Sequence, residues 1–169
     1  LAVLVSAAMA VAVAIEAAYL AVAVVIPNPV WDFGMDYRYY VSLGEQWLAG
    51  GASNTGGAAI AKYFSRDEIA RLTPLLDPDH PTGLDYYPLA SPGERFPVND
   101  PAFAPRLSPR PADDRVFFQA ILEGIAAIEA KAYGRLAELG ASRLASIRTA
   151  GGGAANAAWA KMRLKALGV

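Results

Sequence analysis

Ser146-Ile-Arg-Thr-Ala-Gly-Gly-Gly-Ala-Ala-Asn-Ala-Ala-Trp159 joins three kinds of local signal. β-Branched residues between 146 and 150 predict a short strand. The glycines at 151–153 break it, and apolar residues at helical spacing predict a helix from Asn156 to Leu167. A strand, a glycine-rich turn and a helix start gather bare backbone N–H groups and the positive end of a helix at one point. A planar or anionic ligand can approach such main chain closely, because no Cβ stands in the way. Asn156 suits either a helix cap or a ligand contact. Taken alone, a glycine triplet reads more simply as a tight turn. Other stretches move the balance toward a ligand site.

The chain of 169 residues is about one domain and can bury a sizeable core. Its 15 basic and 16 acidic residues nearly cancel, which gives no electrostatic case for nucleic acid or an anionic membrane surface. Without cysteine there is no disulfide framework or thiolate metal site, and the single histidine, His80, argues against a His-based one. The sequence opens on Leu1 and stops at Leu167-Gly-Val169, so a piece of a longer protein is expected.

Residues 1–26 carry one charge, Glu16, among alanines and valines. Length and apolarity alone would suit a membrane span. The central Glu16, the lack of flanking Lys or Arg and the alternation Val-Ala-Val-Ala-Ile favour buried strands over a span or a buried helix. No basic segment marks a signal peptide. Trp31, Phe33, Tyr37, Tyr39 and Tyr40 follow and read as core or sheet surface.

Gln46-Trp-Leu-Ala-Gly50 predicts a strand running into Gly50-Gly-Ala-Ser-Asn-Thr-Gly-Gly57, with helix from Ala58 to Phe64. This is a second strand, glycine-rich turn and helix start, and two such loops are expected to cradle one ligand. Neither carries the Lys-Ser/Thr of a phosphate loop, nor the glycine spacing of a dinucleotide fold. Ser65 and Glu68 have capping-box spacing. Pro-rich sequence from 74 to 111 predicts a long ordered excursion. Within it Asp85, Glu94, Arg95 and Asp100 resemble paired carboxylates with an arginine, although loop-holding pairs explain them more simply. Asp113 to Leu139 is the longest predicted helix, with Phe117, Ala120, Ile121, Ile125, Ile128, Ala132 and Leu136 on one apolar face and Gly124 marking a close helix-to-sheet crossing. Trp159, Met162 and Leu164 are assigned to packing in the last helix.

Three motifs then occur in order: Gly93-Glu-Arg-x-Pro-x-Asn-Asp-Pro101, Leu122-Glu-Gly-Ile125 after Phe117-Phe118, and Thr149-Ala-Gly-Gly-Gly-Ala-x-Asn156-x-x-Trp159. Together they resemble the C-terminal domain of the FGGY carbohydrate kinases. Trp47-Leu-Ala-Gly-Gly-Ala-Ser-Asn-Thr-Gly-Gly57 with Gly83-Leu-Asp-Tyr-Tyr-Pro88 is similar to the plant and cyanobacterial D-ribulokinase branch, also described as xylulokinase-like. The match spans residues 44–169, whereas 1–43 match poorly. The family's Ser-Leu-Gly-Ser-Thr-like hairpin would fall near Ile15 to Leu20, which here reads Ile-Glu-Ala-Ala-Tyr-Leu. Its catalytic aspartate precedes that hairpin, and residues 1–14 contain none, so the catalytic residue stays unassigned.

The resemblance implies an α/β fold: an actin-like, ribonuclease-H-like domain with a mixed sheet flanked by helices, the C-terminal half of a two-domain kinase. It implies transfer of the γ-phosphoryl of ATP, with Mg²⁺, to a ketopentose held mainly by an N-terminal domain. By position, Gly50, Gly51, Gly152, Gly153 and Asn156 would bind the nucleotide. No metal-ligating residue, nucleic acid or membrane partner is expected, and the setting would be cytoplasmic, or plastid in a plant. The alternatives are another pentulose such as D-xylulose, a catalytically inactive nucleotide-binding module, and, from residues 1–26 alone, a membrane-anchored structural protein.

Overall fold

A computed structural model of the chain describes residues 20–26, 41–43, 46–139, 141, 144, 147, 149 and 152–168. Strands β1 (Leu20–Ile26), β2 (Val41–Leu43) and β3 (Gln46–Ser53) form one sheet in the order β1-β3-β2. Both pairings are antiparallel: Leu20 stands opposite Ser53 and Ile26 opposite Trp47, while Val41 stands opposite Leu48. The strand expected within residues 1–26 is therefore present over its last part. Residues 1–19, including Glu16 and the alternating run, and the aromatic residues 31–40 lie outside the described residues.

This arrangement overturns the expected actin-like fold. Among the described residues no parallel pair exists, so there is no mixed sheet, and helices make up most of the regular structure. Only Gly44 and Glu45 separate β2 from β3, and so short a connection can join only antiparallel neighbours. The strand expected at 146–150 would have supplied a crossover partner. Ile147 and Thr149 instead lie in irregular backbone, and the rest of that stretch is outside the described residues.

Four α-helices follow: α1 (Gly57–Ala61), α2 (Arg66–Leu72), α3 (Asp114–Glu138) and α4 (Ala157–Leu167). The capping box at α2 forms in full, the Ser65 side chain accepting from the Glu68 N–H while Glu68 accepts from the Ser65 N–H. α3 runs for 25 residues from its N-cap Asp113 and buries every residue of the expected face. Phe118, Leu122 and Ala126 are buried as well, so the middle of α3 is covered nearly all round. Its main cluster joins Ile60 of α1, Phe64, Leu72 of α2, Tyr86, Phe117, Ile121, Ile125 and Met162 of α4. Leu164, assigned to packing from sequence, is 49% exposed. No helix among the described residues is long and apolar enough to cross a membrane.

The Pro-rich excursion lies against α3. Short antiparallel bridges pair Tyr87 with Arg106 and Glu94 with Asp100. Gln119 on α3 satisfies backbone that has no ladder of its own. Its Oε1 accepts from the Asp77 N–H at 2.8 Å, and its Nε2 donates to the carbonyls of Asp77 (2.8 Å) and His80 (3.0 Å). One turn on, Glu123 accepts from the N–H and hydroxyl of Thr82.

Gly124 marks the close crossing that the sequence suggested, but against this excursion rather than a sheet. A Cβ there would stand 2.8 Å from the Tyr86 carbonyl oxygen and 2.9 Å from Pro88 Cδ. Overpacking of this kind costs about 1–3 kcal/mol, against roughly 1 kcal/mol that alanine recovers in helix propensity. Gly124→Ala is therefore expected to lower the urea midpoint. A midpoint at or above that of the parent would show that Tyr86 and Pro88 can retreat.

Candidate functional site

At the C-terminal glycine segment, Gly152–Ala155 forms a single 3₁₀ turn that leads into α4. Asn156 is the N-cap: its Oδ1 accepts from the Trp159 N–H at 2.9 Å, which satisfies one of the helix's free donors and leaves Nδ2 as a donor. Gly153 has a packing reason to be glycine, since a Cβ there would stand 2.3 Å from Cζ3 of Trp159. That indole is fixed in turn by its Nε1–H, which donates to the Leu122 carbonyl of α3 at 3.2 Å.

One turn beyond Trp159 stands a pair that the sequence reading missed. Arg163 is 9% exposed and Glu129 of α3 is 2% exposed. Arg163 Nε donates to Glu129 Oε2 at 2.6 Å and Nη2 donates to Oε1, a two-point clamp. These hydrogen bonds hold the Arg163 pKa above its usual value against the opposing effect of burial. Burial, and then the nearby Glu129, raises the pKa of Tyr133 beside them. A signal was available: Glu129 falls next to Ile128 and between Ile125 and Ala132, and a charge on a buried face requires a partner.

The other glycine segment differs from expectation. Gly50 and Gly51 do not form a turn; they lie in β3, opposite Ala23 and Val22. The turn begins after Ser53, and the position that needs glycine is Gly56, at φ 113° before α1. Residues 53–55 are clasped by residues 88–94. Asn54 Nδ2 donates to the Gly93 carbonyl at 2.6 Å, the Ala90 N–H donates to the Asn54 carbonyl at 2.9 Å, and the Thr55 hydroxyl donates to the Pro88 carbonyl.

Glu94 is the centre of this clasp. Its buried carboxylate accepts from the Ser53 hydroxyl (2.6 Å), the Tyr87 hydroxyl (3.0 Å), and the N–H groups of Asn54 and Arg95 (2.9 Å each). The loop-holding role expected for Glu94 thus appears, with Ser53, Tyr87 and backbone as its partners. Asp85 pairs instead with Arg106 at 2.6 Å on the surface, and the Asp100 carboxylate accepts from the Ala102 N–H. These acidic groups do not converge as a catalytic pair. Among the described residues, no group of three or more His, Cys, Asp or Glu side chains is placed to hold a metal ion.

The two glycine segments are therefore supported separately: residues 53–55 by the Pro-rich excursion through Glu94, and Gly153 by Trp159, which α3 holds. What they share is the core, which Ile60 of α1 and Met162 of α4 both enter. No protein-family model matches the chain.

Two outcomes follow. Glu94→Gln keeps the shape but turns an NH₂ group toward converging donors, so a loss of about 2–4 kcal/mol is expected in urea unfolding; a loss below about 0.5 kcal/mol would mean the clasp is unimportant. On the surface, Lys161 (2.6 Å) and Lys165 (2.7 Å) lower the Asp79 pKa from 3.8 to about 2. The pair's stabilisation is complete above pH 3.8 and is lost as pH falls through about 2. A carboxyl NMR titration should place the midpoint there, and Lys161→Met with Lys165→Met should move it back up.

Proposed function

We propose that this chain carries the nucleotide-binding portion of an ATP-dependent carbohydrate kinase of the FGGY type, with D-ribulose as the ketopentose acceptor. The observation that carries this function is the ordered occurrence of Gly93-Glu-Arg-x-Pro-x-Asn-Asp-Pro101, Leu122-Glu-Gly-Ile125 and Thr149-Ala-Gly-Gly-Gly-Ala-x-Asn156-x-x-Trp159 in one chain. Support comes from these motifs and from the turn at 152–156, not from sheet topology.

Phosphoryl transfer asks a protein mainly to position the nucleotide and stabilise charge. Gly152 and the free Nδ2 of Asn156 supply bare main chain and a donor for the adenosine, while Gly153 holds the turn against Trp159. Gly50 and Gly51, inside β3, would be the second place where main chain without Cβ meets the nucleotide. Mg²⁺ would enter with the phosphates of the incoming MgATP. The sugar would be held by a further domain, and the setting would be cytoplasmic or plastid. Residues 1–14 contain no aspartate, which favours one second reading, nucleotide binding without transfer.

Ketopentose phosphorylation by the full-length protein tests the proposal, with D-ribulose preferred over D-xylulose. Gly152→Val and Asn156→Ala are expected to raise the KM for ATP roughly five- to tenfold and leave that for the sugar nearly unchanged. Loss of the cap alone would cost Asn156→Ala about 1 kcal/mol. A lowered Tm with unchanged ATP constants in both variants would reduce the stretch to a turn. ATP binding without turnover would leave the inactive module.

A further inference from the structure

Asn156, Trp159 and Arg163 recur at intervals of three and four, so they lie along one face of α4. Two of them reach back to what precedes the helix, and Asn156 caps its first turn. Asn156 closes the helix start, and Trp159 abuts Gly153. Arg163, with Nε and Nη2 taken up by Glu129, donates from its remaining terminal nitrogen, Nη1, to the hydroxyl of Thr149. The guanidinium carbon also sits 5.7 Å from the Trp159 ring centroid. On the α3 side the receiving groups are the Leu122 carbonyl and Glu129. The turn at 152–155 is thus gripped at Thr149 before it and at Asn156 after it.

We infer that Glu129 and Arg163 form a strut that positions the Gly152–Ala155 turn through Thr149, and that the nucleotide site depends on this strut. A buried ion pair is often no more stabilising than apolar residues of the same volume, so stability alone does not account for it. The two-point clamp on Glu129 fixes the plane of the guanidinium, and a planar fork held at two nitrogens presents its third in one direction. Thr149, exposed and three residues before Gly152, is where that direction ends. Arg163 and Glu129 are positioning residues that touch no ligand. The nucleotide part of this inference depends on the kinase reading; the strut itself does not.

Thr149→Val is the variant of choice, because it removes the hydroxyl at an exposed position and keeps the buried pair, whereas Arg163→Met risks the fold. Amide hydrogen exchange at Gly152–Ala155 is expected to become roughly tenfold faster, with α3 unchanged and Thr149→Ser restoring the parent rate. Unchanged exchange in the turn would overturn the strut. A uniform increase through α3 and α4 would also overturn it, by showing a general loss of stability instead. A fluorescent ATP analogue supplies the second arm, with roughly tenfold weaker binding expected for Thr149→Val. If the parent protein binds no analogue, the kinase reading falls while exchange still decides the strut. If Thr149→Val loosens the turn yet binds the analogue as the parent does, the nucleotide site does not depend on it.

Discussion

Irregular backbone can be buried only if its donors and acceptors find partners, and that constraint organises this molecule. From Asp77 to Arg106 the chain has almost no ladder of its own, yet it covers α3 with Tyr86, Tyr87, Leu89 and Phe96. Side chains supply the missing partners. Gln119 and Glu123 serve residues 77–82 from the helix, and Glu94 serves Asn54 and Arg95 from within the excursion. An unsatisfied buried group costs about 1–3 kcal/mol, so several such failures together would exceed the net stability of many domains.

The same constraint explains why polar residues stand on the buried face of α3. Gln119, Glu129 and the half-buried Glu123 would be errors in a helix packed only against apolar neighbours. Each faces something that needs it: backbone at 77–80, the guanidinium of Arg163, and Thr82. α3 is therefore a bracket as well as a core element. It holds the Pro-rich excursion and α4, and through α4 the turn that ends at Asn156.

Glycines show how one residue type serves different needs here. Gly124 yields space to Tyr86 and Pro88, Gly153 yields space to an indole, and Gly56 supplies a positive φ. Gly50 and Gly51 are strand residues. From sequence, the glycines at 50–57 and 151–153 looked like equivalent loops, because glycine reports conformational freedom without saying which freedom is used. Gly153 is spoken for by Trp159, so within the C-terminal turn the proposed nucleotide contact falls to Gly152 and Asn156.

Local chemistry determined a good part of this protein by itself. The capping box at Ser65 and Glu68, the helix start at Asn156, the extent of α3 and its apolar stripe depend on residues within a turn or two of each other, and the structure has them as the sequence implies. The close approach at Gly124 was also legible, since glycine is costly in mid-helix without a neighbour that needs the space. What tertiary structure alone decided was partnership across long stretches of chain. Strand pairing made the sheet antiparallel where a mixed one was expected, and absorbed Gly50 and Gly51 into β3. Glu94 met Ser53, and Glu129 met Arg163. Residue type announces that a buried charge or an open strand edge requires a partner, but the partner is selected by how the distant segments pack.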